Sequence, residues 1–176
     1  MPLGQMLFGS SDDDDELKEQ TERLRSNAEK YPEMVEVEKL LEPFEADHEE
    51  AQEIAAEGLS MVAEAEPRRL ANVSTELIEA TNPGTATVAT RGTMATVIET
   101  VASKSPHVLD DDLGALAESL ELETKPDTEI SEQKIKYFCQ ALCQVDVDKA
   151  EEIVEAFCDH DDPSVRHAAR SAHQSI

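Results

Sequence analysis

Asp161-Asp162-Pro163-Ser164-Val165-Arg166-His167-Ala168-Ala169 is the stretch on which the reading of the fold turns. The aspartates make an acidic turn, Asp162 is a helix-capping residue type, and Pro163 suits a first helical position, where no N–H is needed. Val165, Ala168 and Ala169 follow at the spacing of one helical face. Just upstream, Ala150, Ile153, Val154 and Phe157 make an i, i+3, i+4, i+7 set. Two amphipathic helices joined by a short turn predict a hairpin, 147–158 with 163–174.

The same pattern extends backwards. Hairpins are predicted at 107–121 with 129–144, 68–81 with 85–103, and 33–42 with 48–65. Ile135, Phe138, Cys139 and Leu142 line one helix, and Ile54, Ala55, Leu59 and Val62 another. Prolines 32, 43, 67, 83, 106, 126 and 163 fall at the seams, because proline breaks a helix interior and is tolerated in the first turn. Ser105-Pro106 repeats the capping pattern of Asp162-Pro163. The second helices begin near His48, Thr85, Glu129 and Ser164, at roughly 40-residue intervals typical of helical-hairpin repeats. No alternating apolar-polar run predicts a strand.

Upstream lie two further segments. Residues 1–11 form an apolar arm in which Leu3, Met6, Leu7 and Phe8 offer surface for a partner or for the chain's own grooves. Residues 12–30 read as an acidic lead-in or capping helix whose opening aspartates suit the helix macrodipole. The repeat domain is therefore 31–176.

Composition defines the setting. Forty acidic against 15 basic residues give a formal net charge of −25. Such self-repulsion strains a compact fold in dilute buffer. At molar salt the screening length falls to about 3 Å. Acids spread over most helices predict a protein of a salt-in halophile, a haloarchaeon or one of its viruses, at home in the cytoplasm. Free nucleic acid needs a cationic stripe, and an anionic membrane a basic patch; neither is present. Met1-Pro2-Leu3-Gly4 has neither the basic start nor the long apolar core of a signal peptide. Three cysteines are expected as thiols.

On Asp162, Val165, Arg166 and Ala169 the last hairpin resembles the HEAT repeat, a hairpin that stacks into a right-handed α-solenoid. The resemblance implies an all-α solenoid of about four hairpins; an irregular helical bundle is the structural alternative. It implies that Asp162 caps its helix, that Arg166 reaches a neighbouring turn, and that the second helices line a concave face for partners. Thr87, Thr90 and Arg91, on a hydroxyl-rich and weakly charged helix, then become candidate partner contacts, together with Arg166. The expected function is a non-enzymatic adaptor or scaffold that binds another protein and carries no cofactor.

The alternative is a metalloprotein or metalloenzyme. Cys139 and Cys143 project from one helical face and, with Cys158 and His160, could supply four zinc ligands. Against this, Cys139 and Cys158 lie on or beside core stripes, where free cysteine packs as a small apolar residue. No phosphate-cradling glycine loop, nucleophile elbow or His-Glu-x-x-His motif is present.

The salt reading has a direct consequence: dialysis from molar KCl into dilute buffer should abolish the helical circular dichroism. An unchanged spectrum would contradict it.

Overall fold

A computed structural model describes residues 11–174, and among them every regular element is helical. The order is α1 (Ser11–Lys30), 3₁₀ turns Pro32–Met34 and Val37–Leu40, α2 (Glu42–Glu45), α3 (Glu49–Ala65), a 3₁₀ stretch Pro67–Val73, α4 (Ser74–Glu79) and α5 (Val88–Lys104). A 3₁₀ turn Pro106–Leu109, α6 (Leu113–Glu123), α7 (Glu132–Val145), α8 (Val147–Cys158) and α9 (Pro163–His173) complete it.

The elements form two layers. In one, α1 packs on α3, α3 on α5, α5 on α7 and α7 on α9. In the other, the 3₁₀ segments 37–40, 67–73 and 106–109 touch in succession and α4 packs on α6. The core between the layers is aliphatic: Leu40, Leu59, Leu70, Ile78, Met94 and Ile98 are fully buried, each worth about 1.5–3 kcal/mol in removal from water. Small residues permit the closest crossing. A Cβ on Gly58 of α3 would meet Leu40 at 3.3 Å and the Arg25 backbone at 3.4 Å. Leu24 and Ala28 of α1 join this core, so the acidic lead-in is integral to the packing.

The second members of the hairpins lie close to their sequence-predicted bounds, but the first members of the first three are broken into 3₁₀ turns and short α-helices. Their junctions explain why. Tyr31 (φ −144°, ψ 61°), Glu66 (φ −139°, ψ 59°) and Ser105 (φ −151°, ψ 63°) each precede a proline and none supplies a side-chain cap, Ser105 included. At the fourth junction no proline follows, and the Asp146 carboxylate accepts the Lys149 N–H at 3.1 Å. There a continuous α8 forms. Without a cap at an X–Pro start, the tighter 3₁₀ turn forms in place of a full helix.

Successive hairpins are also tied by bonds between corresponding positions. Arg69 to the Pro32 carbonyl, Thr75 to Asp112, Ser119 to Asn82 and Gln133 to Thr96 each join residues 37 positions apart. Arg69 additionally donates to the Val35 carbonyl at 2.8 Å.

Candidate functional site

The outward side of the long-helix layer changes character along its length. At one end stand Glu29 of α1 and Glu53, Glu57 and Glu64 of α3. Some of these acids are paired across helices, Arg25 with Glu57 at 3.5 Å and Lys104 with Glu64. Such exposed pairs contribute little to stability. Further along, α5 shows Ala89, Thr93, Thr96 and Glu99, and α7 shows Gln133, Lys136, Tyr137, Gln140 and Gln144, whose amide donates to Glu99 at 3.2 Å. α9 contains no carboxylate at all, although 40 occur in the chain. The Gln133 amide donates to the Thr96 hydroxyl at 3.2 Å, making one polar surface of α5 and α7. A groove of about 420 Å³ continues it between α7 and α9.

Several sequence-predicted contacts fall elsewhere. Arg91, expected on this surface, is only 4% exposed, and Thr90 is 2% exposed. The weak charge of α5 reflects its central place between α3 and α7, not an exposed contact patch. Thr87 caps α5 by accepting the Thr90 N–H at 3.2 Å. Arg166 donates to the His160 and Asp161 carbonyls, so it braces its own turn and not a neighbouring one. Asp162 does cap α9, accepting from the Ser164 and Val165 N–H groups. Leu3, Met6, Leu7 and Phe8 lie outside the described residues.

Arg91 belongs to a buried ionic network that was not anticipated. Its guanidinium donates to the Ala86 carbonyl at 3.1 Å, to Glu123 Oε1 at 3.1 Å and to the Glu129 carbonyl at 2.5 Å. Glu123 Oε1 also accepts the Ser131 N–H at 2.6 Å. Lys134 Nζ stands 3.2 Å from Glu123 Oε2, donates to the Thr81 carbonyl at 2.8 Å and lies 5.4 Å from the Phe138 ring centroid. Glu123 and Lys134 are both wholly buried. The network pins the 124–131 connection against α5 and ties α7 to the end of α4. Its sequence signal was faint: Lys134 lies one turn before Phe138, at the edge of the α7 apolar stripe.

One carboxylate serves two cations here. Burial, with the Arg91 charge adding to it, lowers the Lys134 pKa to about 8, although Glu123 opposes the shift. Two polar atoms, Arg91 Nε and Glu123 Oε2, make no hydrogen bond despite burial.

The cysteines are placed as packing residues. Cys139 is fully buried, and burial pushes its thiol pKa up to about 12. Cys143 is buried and Cys158 partly exposed, and burial raises both thiols. His160 stacks on Phe157 at 6.5 Å and accepts the Asp162 N–H through Nδ1 at 3.1 Å. Among the described residues no group of three or more His, Cys, Asp or Glu side chains is arranged to hold a metal ion.

No protein-family model, curated protein or solved structure matches the chain.

The depressed Lys134 pKa sets a pH dependence. In the unfolded chain the ammonium keeps its proton up to about 10.5, whereas in the fold it begins to lose it near 8. Between these values the unfolded state binds more protons, so this group's contribution to stability rises with pH, by up to about 1.4 kcal/mol per unit. Denaturant unfolding from pH 7.5 to 10 should show that rise relative to Lys134→Met. Parallel profiles for the two proteins would contradict it.

Proposed function

We propose that the chain is a non-enzymatic adaptor, a HEAT-like right-handed α-solenoid of about four hairpins working in a high-salt cytoplasm and holding another protein on its long-helix layer. Four observations support the architecture: sequential packing of the odd-numbered helices, the two-layer arrangement, the recurrent X–Pro junction, and the bonds between positions 37 apart. The outer sides of α1 and α9 are polar, as the ends of a stacked-repeat array must be to remain in water.

The observation that carries the functional reading is the strip of Thr93, Thr96, Gln133 and Gln140. In a chain this acidic, a hydroxyl- and amide-rich strip whose charges are Lys136 within it and Glu99 at its edge, the latter accepting from the Gln144 amide at 3.2 Å, is surface that a partner can cover while burying little unpaired charge. The buried ionic network contributes rigidity to α5 and α7 beneath it. The metalloprotein alternative draws no comparable support, because Cys139 and His160 are engaged in packing and local bonding.

Pull-down from halophile cytosol in molar KCl tests the reading. A stoichiometric partner should be retained when residues 1–10 are removed and lost with Thr96→Glu combined with Gln140→Glu. Retention by the double variant would contradict a role for this face.

A further inference from the structure

We infer that His48 is an acid-sensitive latch: its neutral imidazole closes the first turn of α3, and protonation releases that turn together with the ties it carries to α1 and to the segment before α5. His48 is the residue that caps α3, and its Nδ1 accepts the Ala51 N–H at 3.2 Å. A ring nitrogen accepts only while it carries no proton, and an imidazolium donates from both nitrogens. Histidine is also the side chain whose ordinary charge change falls between about pH 5 and 8. The next long helices of the layer are capped by groups that do not titrate there. The Thr87 hydroxyl accepts the Thr90 N–H of α5 at 3.2 Å, and the Ser131 hydroxyl accepts the Lys134 N–H of α7 at 3.3 Å. Acid therefore acts on the start of α3 and spares the starts of α5 and α7.

The turn that His48 closes is strained and well connected. Asp47, just before it, has φ 54°, in the left-handed region that costs most residues energy. Just after the cap, Glu50 pairs with Lys18 of α1 at 2.6 Å. The buried Gln52 amide donates to the Pro43 carbonyl at 3.3 Å and to the Thr85 carbonyl at 3.0 Å. One turn of helix thus ties α1, the end of α2 and the approach to α5. The charges about it are mainly acidic: Glu45 of α2, Asp47, Glu49 and Glu50, with Glu79 of α4 sharing a cavity with Glu45. The cations of the packed elements are engaged elsewhere, Lys18 with Glu50, Lys39 with Glu36 and Arg91 with Glu123. An imidazolium at the positive end of the α3 macrodipole is disfavoured where it stands. The closed turn excludes the proton and the released turn takes one from solvent on Nδ1. The closed-to-open ratio therefore falls by up to about tenfold for each unit that pH drops through the imidazole range. The cap is intact above that range and lost below it, as a local opening within the folded chain.

Residue-resolved amide hydrogen exchange on the full chain in molar KCl, from pH 7.5 to 5, tests this. Ala51 and Thr90 are matched probes, since each N–H meets its capping atom at 3.2 Å and only the first cap titrates. After correction for intrinsic exchange, protection at Ala51 should fall by about tenfold or more across the range while protection at Thr90 holds. His48→Asn replaces the imidazole with a preferred capping residue that cannot be protonated, so it should keep Ala51 protected at pH 5. His48→Ala should leave Ala51 unprotected at every pH. Parallel profiles for Ala51 and Thr90 in the unaltered chain would overturn the proposal without recourse to any variant. The same acid loss in His48→Asn would also overturn it, by assigning the effect to the surrounding carboxylates.

Discussion

A carboxylate with no solvent exposure, Glu123, holds together the middle of a molecule whose formal charge is −25. Its place is the end of α6, where the chain must cross to α7. Arg91 from α5, Lys134 from α7 and the Ser131 N–H converge on it. Removing a charge from water costs several kcal/mol unless partners compensate, and losing one partner leaves the others buried and unpaired. The network is therefore all-or-none. It fixes the α5–α7 spacing, closes the 124–131 connection and anchors Thr81 at the far end of the preceding hairpin.

The surface depends on that arrangement. α5 and α7 present Thr93, Thr96, Gln133 and Gln140 in one plane because the buried ions hold the two helices in register. A Cβ on Gly92 would come within 2.8 Å of Gln133 Oε1, which shows how closely the helices approach below the strip. The acids are spread over the remaining surface, from Glu53 and Glu57 of α3 to Glu151, Glu152 and Glu155 of α8.

The helical class and most hairpin bounds were legible in the sequence because apolar periodicity and proline punctuation are local signals. Asp162 as a cap was legible for the same reason. The broken first helices were not, since the 3₁₀ starts at Pro32, Pro67 and Pro106 depend on a missing side-chain cap as well as on the proline. Arg91 was misread as a surface contact because weak charge marks both a binding strip and a central helix, and only packing on both sides tells them apart. Glu123 carries no sequence sign of burial and Lys134 only a faint one: their compensation comes from residues 8 to 53 positions away, through contacts that no local pattern encodes. Of the candidate face, Thr93 and Thr96 were partly visible as neighbours of Arg91, whereas Lys136 and Gln140 required the α7–α9 packing to be seen.

The most direct measurement of the central claim is amide hydrogen exchange at Ser131 in the full chain. Its N–H is held by the buried Glu123 carboxylate, so it should exchange as slowly as core amides of α7, through opening of the whole fold. Exchange as fast as that of the exposed Asp127 in the same connection would mean that the ionic network does not close this part of the structure.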